Sequence, residues 1–380
     1  MKDIKKVVII TPSLIDFSSG KLKIGGLETY IKDLALLCKN AGYNVLIYQS
    51  SSDCTGNGLL DDISVYPFSD KKTYQESFNG MYAEHNDAGT VFIIATDQLD
   101  IKSKADNVIS IQHGIAFDIP GNLISGFWGK SRILQHINKF LRCIKNVLRL
   151  YNTRNMVCVD YNYYNWFRTL GTISEVCNVT VIPNYTSNYL SADALDDKLS
   201  VSHSKKKIVF ARRFVEYRGT LMFANVVRRL LSQRDDIDVT FAGSGPLEGT
   251  IKLMFAGEER VHFSSFKSAE TIEFHKDFDI AVVPTVFSEG TSLSLCEAMA
   301  AGCLGVATHV GGLTNILIDH YNGFMCAPSE DSLYRTLINV LDLPHTQFRE
   351  ITCRGYYTVR NGFSHELWCK KWLQVLNHLR

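Results

Sequence analysis

The chain has 380 residues, 46% of them hydrophobic and 21% charged, with a formal net charge of +1. That length exceeds what one hydrophobic core usually supports, so two domains are expected, and near-neutrality excludes bulk electrostatic attraction to nucleic acid. Ten scattered cysteines, no two at C-x-x-C spacing, argue against a structural zinc site and for a reduced compartment.

Residues 7–11 form an apolar, β-branched run that is too short for a signal-peptide core, and no small-residue cleavage site follows it. No window approaches the length of a transmembrane helix, so a cytoplasmic chain is expected, and the glycosylation patterns at Asn178 and Asn184 read as chance. Gly25-Gly26 precedes a helix over residues 27–41, which Gly42 ends before a strand over 43–48. Further short apolar runs lie at 91–95, 108–111, 156–159 and 179–182. Strands that alternate with helices in this way predict a parallel sheet.

Residues 187–207 are polar, rich in Ser, Asp and Lys, and read as a linker. The alternation then restarts. Strands are expected at 208–211, 239–242, 280–283 and 304–307, with helices at 220–231 and 294–301, and an amphipathic helix over 364–379 carries Leu367, Trp368, Trp372, Val375 and Leu376 on one face. The expected architecture is α/β, with two Rossmann-like doubly wound domains facing across a cleft. Residues 1–187 form the first and 188–363 the second, and the helix of about 364–380 packs back on the first.

The segment from Phe287 to Gly302 follows a buried strand and opens a helix, and free N–H groups at such an end favour an anion such as a diphosphate. Glu289 precedes that helix, and Glu297 lies about two turns on, where a carboxylate can accept bonds from vicinal ribose hydroxyls. A second segment, Phe210 to Gly219, sets Arg212 and Arg218 in a loop after a strand, where the charge of a leaving diphosphate needs fixed cations. Gly243 and Gly245 close the 239–242 strand and are assigned to the donor side, as are Gly25 and Gly26, whose backbone can approach a phosphate or sugar closely. Asp236 and Asp238 have the spacing of a metal-binding pair but start a strand, and no metal site is expected there.

These segments resemble the large family 4 group of retaining glycosyltransferases, with the GT-B fold. That family's E-x7-E motif matches Glu289 and Glu297, and its Gly-Arg-x-x-x-x-x-Lys-Gly pattern places Arg212 on the Arg and Arg218 on the Lys. Ala211 stands where the pattern has Gly, and Arg218 offers a planar fork in place of a point charge. Gly25-Gly26-Leu27-Glu28 matches the family's Gly-Gly-x-Glu, and Pro183-Asn184 a Pro-Asn at the end of its first domain. The resemblance implies that Glu289 touches the donor sugar and Glu297 the ribose. Gly290, Thr291, Ser292 and Leu293 then lie at the donor phosphates, and His113 meets the sugar or the acceptor. It also implies a UDP- or GDP-sugar donor with no further cofactor, a saccharide or lipid-linked saccharide acceptor, and a setting in bacterial surface polysaccharide or lipopolysaccharide assembly. A nucleotide-sugar epimerase of the same architecture and a non-catalytic sugar-binding homologue stay open.

From Lys130 to Arg154 there are seven cations and no acid. Ile137, Phe140, Leu141, Ile144, Val147, Leu148 and Tyr151 share one arc of a helical wheel, and Lys139, Arg142, Lys145 and Arg149 the next. This pattern suits an anionic membrane surface or a phosphorylated acceptor, or else a core helix with a solvated basic face.

Overall fold

The computed structural model describes residues 5–23, 25–53, 56–114, 131–149, 151–170, 177–267 and 270–379. The side chains of Val147, Trp166, Phe167 and Leu170 lie outside the description, as do Lys130, Leu150 and Thr55 entirely. The chain divides into two compact units: residues 1–113, 140–182 and 369–380 form one, and 114–139 and 183–368 the other.

The first unit is built on a sheet of β1 (Lys6–Thr11), β2 (Asn44–Ser51), β3 (Gly58–Leu60), β4 (Ile63–Ser69), β5 (Thr90–Ile94), β6 (Val108–Gln112), β7 (Asn155–Cys158) and β8 (Asn178–Val181). The strand order is β3-β4-β2-β1-β5-β6-β7-β8, and β3 alone of these runs antiparallel, to β4. β5 and β6 are buried along their whole length, as their unbroken apolar runs require of strands covered on both faces. The helix His365–His378 buries Trp368, Trp372 and Leu376, and the Trp372 Nε1 donates to the Tyr30 hydroxyl at 2.9 Å, which ties residues 369–380 to the helix Gly26–Asn40.

The second unit holds β9 (Lys206–Ala211), β10 (Ile237–Ala242), β11 (Val261–Ser264), β12 (Ile280–Val283), β13 (Leu304–Thr308) and β14 (Phe324–Cys326). They pair in parallel in the order β11-β10-β9-β12-β13-β14. Taken within the unit this is the doubly wound order 3-2-1-4-5-6. The chain winds outward from β9 through β10 to β11, then crosses back to lay β12 on the other side of β9. The gap between the carboxyl ends of β9 and β12 is therefore the topological switch point, where such sheets bind ligands. Beneath it Phe210, Phe214, Phe223 and Phe241 pack together, with Phe210 stacked on Phe223 at 5.6 Å and Phe223 at 5.4 Å from Phe241. Phe210 and Phe214 flank Arg212 in sequence, so this aromatic core anchors both sides of the loop that carries it.

The polar stretch 187–207 is not an open linker. It contains the helix Ala192–Ser200, capped by the Ser191 side chain and burying Leu195 and Leu199 against Tyr356. Two apolar residues at i and i+4 suffice to dock so short a helix, and they leave the composition polar. Asp236 and Asp238 sit at the amino end of β10, each bound to a cation: Asp236 to Arg234 at 2.7 Å and Asp238 to Lys205 at 2.8 Å.

Candidate active site

Three elements of the second unit converge at the switch point. The loop after β9 carries Arg212 and Arg218, the loop after β12 carries Thr285 and Glu289, and the helix Leu293–Ala300 starts just beyond. The Arg212 Nη2 meets the Glu289 Oε2 at 2.5 Å and its Nη1 donates to the Thr285 Oγ1 at 2.5 Å. The Thr285 hydroxyl in turn donates to the Glu289 Oε2 at 2.8 Å, and the Arg218 Nη1 donates to the same oxygen. Glu289 thus lies between two guanidiniums. Burial raises its carboxyl, but Arg212 and Arg218 outweigh that and hold it below the usual range. Burial lowers Arg212, with Glu289 opposing. The side chains of Arg212 and Glu289 are 6% and 7% exposed, that of Arg218 27%, so Arg218 is the more open cation.

Two glycines let these loops approach. Gly219 has φ +77, and a Cβ there would collide with the Pro284 carbonyl that follows β12. Gly243 has φ +141, and a Cβ would strike the Arg212 carbonyl, while its own amide donates to the Ser264 carbonyl at 3.0 Å. Gly245 packs against the Phe214 backbone in the same way. Gly243 and Gly245 therefore support the Arg212 loop from behind. Glu289 is braced from the other side, its carbonyl accepting from the Gly312 amide at 2.9 Å.

The helix Leu293–Ala300 starts at Ser292 with no side-chain cap; the Ser292 and Ser294 hydroxyls pair with each other at 3.2 Å instead. The helix therefore starts without the side-chain cap of an ordinary surface helix. Thr291 and Ser292 are buried, and the Thr291 carbonyl accepts from the Asn184 Nδ2 at 2.9 Å. Glu297 is half-buried, its carboxyl raised to about 7 by burial, with no side-chain hydrogen bond or ion pair among the described residues. Arg213 is exposed. Thr285 and the anchoring by Asn184 escaped the sequence reading; the signal for Thr285 is its place just after β12 at the switch point.

Of the other expected site residues, Gly25, Gly26, His113, Arg142, Lys145 and Arg149 lie in the first unit and Lys139 in the second. Gly25 and Gly26 begin the helix Gly26–Asn40, and the Glu28 carboxylate folds back over Gly25. His113 follows β6, and its Nε2 lies 2.8 Å from the Ala95 carbonyl. A carbonyl only accepts, so Nε2 carries the proton and Nδ1 presents a lone pair. Burial lowers the imidazole to about 4, so it is neutral near pH 7. On the helix Arg132–Arg149, Lys139 and Lys145 are exposed and Arg142 is half-buried. Arg149 departs from the expected basic face: its side chain is 13% exposed, its Nε 3.8 Å from the Asp100 Oδ1. Asp100, remote in sequence, draws it inward.

Among the described residues no group of three or more His, Cys, Asp or Glu is placed to hold a metal ion, and no helix is long and apolar enough to cross a membrane.

Residues 205–342 match the family described as Glycosyl transferases group 1. A D-inositol 3-phosphate glycosyltransferase from Arthrobacter sp. (strain FB24) is 30% identical over 136 residues, covering 34% of this chain and 32% of that one. The chain thus aligns with about a third of the length of that curated relative. Sucrose-phosphate synthase from Thermosynechococcus elongatus superposes with a TM-score of 0.73 at 16% identity over 99% of each chain. Anabaena HepE in complex with UDP gives 0.70 at 14% identity, over 98% of this chain and 100% of that one. At such identities the likeness shows the fold, which is GT-B. The matched segment includes every residue of the Arg212–Arg218–Thr285–Glu289 group, so the group lies in the part of the chain that is similar to glycosyltransferases.

Proposed function

We propose that the chain is a retaining glycosyltransferase that moves a sugar from a UDP- or GDP-sugar to a saccharide or lipid-linked saccharide acceptor. Its setting would be bacterial surface polysaccharide assembly at the cytoplasmic face of a membrane. The observation that carries this reading is the pairing of two arginines with one buried glutamate at a switch point, beside an uncapped helix end. Two guanidiniums and one carboxylate leave a net positive charge, and a diphosphate adds the negative charge that balances it. The UDP complex of HepE supports a uridine donor.

In this reading the bond from the anomeric carbon to the diphosphate oxygen breaks while Arg218, Arg212 and the helix amides near Gly290 to Leu293 stabilise the departing charge. The acceptor oxygen bonds to the anomeric carbon on the same face, and its proton passes to the leaving diphosphate. Glu289 orients the sugar, Glu297 holds the ribose, and the His113 Nδ1 accepts from a sugar or acceptor hydroxyl.

Titration with UDP-, GDP- and ADP-sugars by calorimetry tests the reading; saturable binding of one class is expected, and binding of none rejects it. Arg218→Ala should lower turnover on the order of a hundredfold, the range for loss of one charge-stabilising group, and near-normal turnover in a folded variant would remove Arg218 from the chemistry. Activity should survive EDTA, because the cations at the site are arginines. Loss on chelation, restored by magnesium or manganese, would overturn that assignment.

A further inference from the structure

The helix Arg132–Arg149 is turned inside out. A helix on a globular protein normally buries its apolar stripe and shows its polar face to water. Here Ile133, Ile137, Phe140, Leu141, Ile144 and Leu148 are exposed, Ile133 at 73% and Phe140 at 65%. The polar positions are the ones that face inward, with Asn138 and Asn146 buried and Arg149 nearly so. Polar contacts tie its inward face to neighbouring elements. The Tyr163 hydroxyl donates to the Asn146 carbonyl at 2.7 Å, and the Lys145 Nζ and Arg149 Nε lie 3.5 and 3.8 Å from the Asp100 carboxylate. The structure therefore sets aside a core helix with a solvated basic face.

The exposed apolar side chains fall in one arc, spread over about 22 Å of helix at 1.5 Å per residue. On the wheel Lys145 borders one side of that arc, and Lys139 and Arg132 lie beyond the other. Lys145 is 61% exposed and 3.5 Å from Asp100, a solvated pair that leaves its ammonium at the surface. No acidic residue lies on this helix.

We propose that this helix is an interfacial element that lays its apolar arc into an anionic lipid surface, with Arg132, Lys139 and Lys145 at the headgroups. Cations on both sides of one apolar arc match a surface that is negative and laterally uniform, with acyl chains below the charge. The inference rests on this helix alone and stands whether or not the chain transfers sugar.

The test uses the full chain and flotation with vesicles of phosphatidylcholine alone or mixed with phosphatidylglycerol. Binding to the mixed vesicles is expected, weakening with salt as screening shortens to about 8 Å at physiological ionic strength. Changing Arg132, Lys139 and Lys145 together to Gln should weaken it on the order of a hundredfold, at roughly fivefold per cation near the surface. Phe140→Gln with Leu141→Gln and Ile144→Gln should abolish it, whereas Leu253→Gln, at an exposed apolar site on another helix, should leave it unchanged. All these positions face solvent, so each variant should keep the parent's circular dichroism and nucleotide-sugar binding. If the parent floats with neither vesicle, or equally with both, the proposal fails. It also fails if the parent self-associates and the apolar variant is monomeric, because the arc is then a contact between copies. Lost nucleotide binding in the parent leaves the vesicle result intact and counts against the sugar-transfer reading instead.

Discussion

Glu297 and Glu289 are eight residues apart in sequence and opposite in state. Glu289 is neutralised by two arginines and held low, whereas Glu297 is pushed to about 7 by burial with no cation to offset it. A carboxyl left in that condition gains by meeting hydroxyl donors, and a ribose diol supplies two. Hydroxyl donors favour the ionised form, so nucleotide affinity should strengthen from about pH 6 to pH 8 as Glu297 loses its proton. Glu297→Gln should bind the donor roughly tenfold more weakly, by loss of charge-assisted bonds, and should show little of that pH dependence. Calorimetry at both pH values checks this; a variant with the parent's affinity and pH profile would make Glu297 structural. Both glutamates were legible in the sequence because their spacing is local. Thr285 was not, because its importance comes from Arg212, which reaches it from another strand's loop.

At the scale of elements, the site depends on how closely the β9 and β12 loops meet, and Gly219 sets that approach. Its left-handed backbone opens the helix Thr220–Leu231 directly after Arg218, and its missing side chain makes room for the Pro284 carbonyl. Gly219→Ala should cost about 1–3 kcal/mol from backbone strain alone, with more from the collision. The expected result is a lowered thermal midpoint together with reduced turnover, since Arg218 is displaced with the loop. An unchanged midpoint would mean that the loops need not touch. Elements carried by clear apolar patterns were legible: the periodic helix 220–231 and the short buried run 280–283 lie where the pattern puts them. The helix Ala192–Ser200 was hidden because two buried leucines cannot dominate a polar composition. The helix Arg132–Arg149 was legible as amphipathic, but periodicity does not say which face turns inward, and Asn146, Arg149, Asp100 and Tyr163 decide that through contacts remote in sequence.

Across the whole molecule, alternation of strands and helices announced two doubly wound halves, while the strand orders came only from the structure, since no local pattern says that β12 returns to the side of β9. The same two-part construction governs how stability responds to pH. In the first unit burial raises Asp97 to about 7, against the nearby Arg149, and lowers His113 to about 4. In the second, burial raises Glu297 to about 7 and lowers His275 to about 4. Between about pH 4.5 and 6.5 an unfolded chain has lost its carboxyl protons but keeps those on histidine. Over that window the folded Asp97 and Glu297 hold protons that the unfolded chain has released, so their contribution to stability falls as pH rises. The folded His113 and His275 lack protons that the unfolded chain binds, so theirs rises. One carboxyl opposes one imidazole in each unit, and the compensation holds even if the units melt separately. Replacing both carboxyls, Asp97→Asn with Glu297→Gln, should unmask the imidazoles. The thermal midpoint of the double variant, relative to that of the parent, should climb between pH 5 and pH 6.5 and change little more above pH 7. Scanning fluorimetry across that range checks it; midpoints that run parallel in parent and variant would show that the two carboxyls titrate as ordinary exposed groups.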